Sequence, residues 1–363
     1  MKKQFEFRDA QMTKKIIEKI QTLMKNNNIT LMHVCGTHEH TIASFGLRSL
    51  LPSELEVIAG PGCPVCVCPS HDIDIAIALA KIGMKILTFG DMLRVPSTKF
   101  TLMQANAMYG NIKMVYSPRD AIEFAQTHPD KKIIFFAVGF ETSAPPLAHE
   151  LLNDPPSNFK TLCSYRLIPP AVELLLGSGE VYLDGMVLPG HVCSIIGTKA
   201  FQSLARAYHM PMCVAGFEPL DVLMAIVFLL RQLRDDKAFV ENEYFRVVKE
   251  EGNVEAQKKL NLVFEVATVQ WRGIGQIPDS GYTLKTQFED YDARKIYEDI
   301  LPQNKSRDIL PGCHCHLVIL GKIRPQECKL FKKICTPEKP KGPCMVSYEG
   351  SCRIQYDIGD IVL

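Results

Sequence analysis

From about residue 29 onward, short apolar runs alternate with segments whose apolar positions recur at helical spacing. The runs predict strands at Ile29–Val34, Leu55–Ala59, Lys85–Phe89, Ile112–Tyr116, Ile133–Val138, Thr161–Tyr165, Gly185–Leu188 and Met212–Ala215. Between them, Asp74–Ile82, Arg119–Thr127, Ala171–Leu176 and Glu218–Leu233 carry helical patterning. Strands and helices alternating in this way define an α/β fold with parallel sheets. The chain length suits two Rossmann-like lobes around a central cleft better than one large sheet. Ahead of them, Ala10–Lys25 reads as an amphipathic helix lying outside the sheets. After Arg234 the sequence turns charged, and the rhythm fades through a Gly- and Pro-rich stretch, Trp271–Tyr282. The expected units are therefore lobes at 1–117 and 118–238 and a small cysteine-rich C-terminal domain at 239–363.

The polar motifs fall directly after strands. CGTHEH follows the first, GPGCPVCVCP the second, GFET the fifth, PGHVC the seventh and GFEP the eighth. In open α/β sheets the carboxyl ends of the strands face the crevice where ligands bind. Cys35 is expected just before a helix starting near His38 or Glu39, whose free N–H groups favour a thiolate that binds metal or attacks. His38 beside it is a candidate ligand, acid or base. Cys63 and Cys66 form a CxxC, suited either to dithiol–disulfide cycling or to half of a zinc site. Cys68 is readable as a core residue. Glu141, His191 and Glu218 each follow a strand and are expected to converge on the same crevice. His33, His40, His71, His128, His149 and His209 are read as structural.

Composition narrows the classes of function. A net charge of +1 gives no field for recruiting nucleic acid. The longest apolar run, Val222–Leu230, is about half of what a bilayer requires, so no membrane span is expected. The first residues show no apolar signal-peptide core, which points to the cytoplasm. In that reducing compartment the 13 cysteines are better read as ligands and catalysts than as staples. Six of them crowd the tail: Cys313, Cys315, Cys328, Cys335, Cys344 and Cys352. Zinc modules show two close knuckles, whereas these wide spacings suit an iron–sulfur cluster held by four thiolates, with two left over as a redox pair. Spacing alone does not choose which four. Seven basic residues against three acids between 313 and 352 suit an anionic cluster.

Taken in order, CGTHEHT, GPGCPVCVCP, GFETSAP, PGHV, VAGFEPLD, WRGIG and CKLFKKICTPEKPKGPCMVSYEGSC resemble the hydrogenase maturation family HypD over nearly the whole chain. The resemblance implies two α/β lobes around a cleft and a terminal domain holding a [4Fe–4S] cluster. It implies partnership with a HypC-like and a HypE-like protein in building the iron unit of [NiFe]-hydrogenases, which carries two cyanides and one carbon monoxide. By the same resemblance Cys35 binds that iron with His38 close by, and Cys63 and Cys66 are the redox pair. The cluster ligands it implies are Cys313, Cys328, Cys335 and Cys352, leaving Cys315 and Cys344 as a neighbouring thiol pair. Two positions depart from the family pattern: Cys68 stands where Thr is usual, and Cys193 near a usual Ser or Thr. Cys68 is thus an alternative disulfide partner for Cys63 or Cys66. The competing expectation is an iron–sulfur-dependent thiol–disulfide oxidoreductase acting on protein substrates.

Overall fold

The computed structural model describes residues 8–24, 27–303 and 306–359. Among them, eleven strands form two sheets. In chain order the strands are β1 (Ile29–His33), β2 (Leu55–Ala59), β3 (Lys85–Thr88), β4 (Ile112–Met114), β5 (Ile133–Gly139), β6 (Phe159–Arg166), β7 (Gly185–Pro189), β8 (Met212–Ala215), β9 (Val240–Asn242), β10 (Phe264–Trp271) and β11 (Gly275–Leu284). The first sheet runs β2-β1-β7-β8-β9, with every pairing parallel. The second runs β10-β11-β6-β5-β3-β4, parallel from β6 to β4 and antiparallel where β11 joins β6. Strand β5, buried at every position, shows why the apolar runs are continuous: a parallel strand covered by helices on both faces has no polar side.

All eight expected strands are present. The Gly- and Pro-rich stretch Trp271–Tyr282, through which the strand–helix rhythm is expected to fade, is instead part of a long hairpin, β10–β11, that extends the second sheet. Pro278, Asp279, Ser280 and Gly281 disguise it as a loop. Gly281 is required by close packing, since a Cβ there would lie 2.5 Å from the Val269 side chain across the hairpin. Ser280 is buried because its hydroxyl accepts a hydrogen bond from the Trp271 indole at 2.9 Å.

Sheet membership does not follow the expected limits at 117 and 238. Strands β1 and β2 lie with β7–β9, whereas β3 and β4 lie with β5 and β6. The chain therefore crosses between sheets several times, and the first crossing, after β2, is GPGCPVCVCP. That route puts the CxxC between the sheets. Among the described residues, Cys313, Cys315, Cys335, Cys344 and Cys352 of the tail share one apolar cluster with Met32, Val34, Cys63, Cys66 and Trp271.

The N-terminal helix spans Ala10–Met24 and buries Ile16, Ile20, Leu23 and Met24 against the core that contains the helix Pro219–Arg234. Lys25, its expected end, lies outside the described residues, as do the outer limits of the expected units at 1 and 363. No helix among the described residues is long and apolar enough to cross a membrane.

Candidate functional site

Cys35 leaves the end of β1 in extended backbone and caps the helix Gly36–Ser44. The backbone of the GPG loop lies against it: Gly36 N–H donates to the Gly62 carbonyl at 3.1 Å, and a Cβ on Gly62 would lie 2.2 Å from the Cys35 nitrogen. Cys63 then caps the short helix Pro64–Val67 and is disulfide-bonded to Cys66, with Cα atoms 5.3 Å apart. The tail closes over the same place. A Cβ on Gly36 would lie 2.4 Å from the Glu349 Cβ, so only glycine lets the tail sit directly on the Cys35 helix. One small cavity is lined by Cys35, Cys63, Cys66, Cys344 and Glu349.

Helix N–H groups do not make Cys35 a thiolate in this state. Burial raises the thiol to about 11 and Glu349 adds to that; the N–H groups of His38 and Thr37 oppose it only in part. Desolvation outweighs the helix terminus.

His38 is fully buried. Its Nε2 donates to the Gly216 carbonyl at 2.9 Å, while Nδ1 is buried without a partner. Burial and the nearby His33 lower its pKa to about 3, which leaves a neutral ring with a bare acceptor. His33, read as structural, also lines the thiol cavity, and its Nε2 contacts Glu39 at 2.8 Å. Burial would raise the Glu39 carboxyl, but Arg48 and His33 overcome this and hold it well below the usual range.

The other strand-end residues do not meet at this cavity. His191 is exposed and stacks on Phe217 at 3.9 Å, on a ring that His38 also contacts at 5.1 Å. Glu218 caps the helix Pro219–Arg234 and pairs with Arg8 at 2.7 Å near the surface. Glu141 is buried; Oε1 accepts from Ile168 N–H at 2.8 Å, and Oε2 has no partner. Cys68 does not face the disulfide: its sulfur lies 3.4 Å from the Ser164 hydroxyl, in the core of the second sheet.

Burial raises the Glu141 carboxyl to about 7, against the pull of its backbone hydrogen bonds. The folded state therefore binds a proton that the unfolded chain has already released, and stability falls as pH rises from about 4.5 to about 7. Glu141→Gln, which keeps the acceptor for Ile168 N–H, is expected to remove that slope. Guanidinium unfolding near pH 8 should show a gain on the order of 2–4 kcal/mol, with little change near pH 5.

All six tail cysteines line a second cavity, together with Gly342 and Phe331. A Cβ at Gly342 would lie 2.8 Å from the Cys313 sulfur. Backbone N–H groups point at the sulfurs: Lys341 donates to Cys335 at 3.3 Å and Cys352 to Cys344 at 3.2 Å. Cys313 is lowered to about 7, first by a hydrogen bond from Cys315 and also by the Arg272 charge, against burial. Cys344 lines both cavities.

Arg272 is the residue that pattern reading missed. It is fully buried; Nε donates to the Asp308 carbonyl at 2.9 Å and Nη2 to the Pro96 carbonyl at 2.6 Å, while Nη1 has no partner. A buried guanidinium without a carboxylate is costly unless a negative group stands nearby, and its charge acts on Cys313 and Cys315. Six converging thiols, backbone N–H donors and an unspent cation fit an anionic iron–sulfur cluster. Among the described residues no three His, Cys, Asp or Glu side chains are grouped to hold a single metal ion. A cluster places its four thiolates on separate irons and needs them farther apart.

A two-sheet α/β protein thus brings a disulfide, a buried cysteine and a cysteine-lined cavity together at one junction, the side-chain set that thiol or soft-metal chemistry requires. The chain belongs to the family described as HypD: Hydrogenase formation hypA family, which it matches over residues 11–359. It is 46% identical over 353 residues to a hydrogenase expression/formation protein of Methanocaldococcus jannaschii, covering 96% of this chain and 97% of that one. It is 40% identical over 370 residues to the hydrogenase maturation factor HypD of Cupriavidus necator, covering 98% and 96%. The HypD of Azotobacter vinelandii is 38% identical over 366 residues, covering 98% and 96%.

Proposed function

We propose that this chain is a redox-active scaffold for [NiFe]-hydrogenase maturation, working in the cytoplasm. Cys35, with a cysteine from a HypC-like protein, holds the iron that is its cargo while two cyanides, delivered by a HypE-like protein, and one carbon monoxide are attached. Soft thiolates suit low-valent, ligand-rich iron. Iron binding would supply the positive charge that burial denies the Cys35 thiolate. His38, three residues along the helix that Cys35 caps, keeps an unpartnered Nδ1, while Glu141, His191 and Glu218 support helix ends and loops outside the thiol cavity.

The tail thiols would hold the [4Fe–4S] cluster through Cys313, Cys328, Cys335 and Cys352, and such a group supplies electrons one at a time. Cys315 and Cys344 then act as a dithiol. The Cys344 thiolate attacks the Cys63–Cys66 disulfide, and Cys315 resolves the mixed disulfide. The front pair gains two electrons and two protons as Cys315–Cys344 becomes a disulfide. The observation that carries this reading is Cys344, which lines both cavities. Burial of Cys63 and Cys66 weighs against an oxidoreductase acting on protein disulfides, because a partner's thiol has no approach to them.

The test is thiol labelling in the anaerobically reconstituted protein. Once reductant has bleached the cluster's visible absorption, Cys63 and Cys66 are expected to take up an alkylating reagent added with an acid quench and unfolding, read by mass spectrometry. A disulfide that survives full bleaching would sink the relay.

A further inference from the structure

The tail thiol cavity is roofed by the loop Cys328–Lys341. This segment carries Lys329, Lys332, Lys333, Lys339 and Lys341 against a single acid, Glu338. Lys329, Lys332, Lys333 and Lys339 are exposed, Cys328 is partly exposed, and Ile334 stands 57% exposed among them. The loop is held in that attitude. Lys332 has a φ of +58°, a left-handed conformation that costs a long side chain energy, and its Nζ lies 5.6 Å from the Phe331 ring centroid and 5.9 Å from that of Tyr356. Phe331 and Cys335 point inward to the thiols while the lysines face out.

A second feature adjoins it. A cavity of about 490 Å³ is lined by Arg94, Lys99, Lys339 and Lys341 and by one acid, Glu338. Its wall is also the wall of the thiol cavity, because the Lys341 backbone N–H donates to the Cys335 sulfur at 3.3 Å. Cations massed on one face repel one another, while the chain as a whole is nearly neutral at +1. An exposed isoleucine inside such a collar is the arrangement of a protein interface, an apolar anchor within a charged rim; a phosphate backbone would have no use for it.

We propose that this face docks an acidic electron-carrier protein, which delivers electrons to the tail thiols' cluster across the Cys328–Cys335 loop. The inference rests on the redox reading above. Each docking oxidises the carrier by one electron, and two dockings, with two protons from solvent, restore one disulfide to its dithiol.

The experiment measures binding of an acidic plant-type [2Fe–2S] ferredoxin to the full-length, metal-free chain by calorimetry at low and high salt. Lys329→Glu/Lys332→Glu/Lys333→Glu is expected to weaken binding by about tenfold or more at low salt. Lys14→Glu/Lys15→Glu/Lys19→Glu, the same charge change on the exposed face of the N-terminal helix, should change it by no more than about twofold. Equal effects of the two triples, no effect of the loop triple, or tighter binding of a single-stranded oligonucleotide than of ferredoxin would overturn the proposal. Because binding is read without metal, the redox reading fails separately, as reconstituted protein with no iron–sulfur absorption.

Discussion

A Cys344→Ser protein is expected to keep its cluster absorption yet leave Cys63–Cys66 oxidised when the cluster is reduced. Cys344 alone lines both thiol cavities among the described residues. Its sulfur accepts the Cys352 N–H at 3.2 Å. Serine preserves size and the acceptor but cannot attack a disulfide, since the thiolate is the nucleophile. Labelling of Cys63 and Cys66 after cluster reduction should therefore fall to background, while free dithiothreitol, which needs no relay, should still open the pair on unfolding. Unchanged labelling would place the relay elsewhere. Cys315→Ser should behave differently, trapping a mixed disulfide of Cys344 with the front pair that is visible by mass.

The chemistry of these residues was legible in sequence, but their meeting was not. The eight central strands announce themselves because parallel strands buried on both faces are uninterrupted apolar runs. Which sheet each joins leaves no such trace, since parallel partners are set by helices crossing over, not by a turn between neighbours. That is why β1 and β2 could not be seen to lie with β7. The GPG sequence before Cys63 read as a stiff loop; only the structure shows that its glycine is needed because the Cys35 backbone passes where a Cβ would be. Glu349 carried no signal beyond its place in SYEGSC, yet it sits on Gly36 and raises the Cys35 thiol.

Arg272→Met should lower affinity for the iron–sulfur cluster by about 10–100-fold, the usual cost of removing a group that supports metal ligands from behind. The substitution keeps length and apolar packing while deleting the charge that faces Cys313 and Cys315. Iron and sulfide content after reconstitution under limiting iron would report it. A second readout needs no metal: with Arg272 gone, the pH at which Cys313 alkylates should move upward, because a cation that favoured the thiolate has been removed. Full cluster loading with an unmoved alkylation profile would mean that the buried guanidinium serves only its two carbonyl partners, Asp308 and Pro96. The sequence hid this residue within WRGIG because an arginine in a hairpin turn is ordinarily solvated; what gives it away is complete burial with one nitrogen unspent.

The assembly-scaffold account stands or falls on the iron at Cys35. The decisive measurement is an anaerobic infrared spectrum of the chain purified with a HypC-like protein, recorded beside the Cys35→Ala variant. The account predicts stretching bands of iron-bound cyanide and carbon monoxide in the unaltered complex and none in the variant. Bands that persist in Cys35→Ala, or that never form with the unaltered chain, would contradict it.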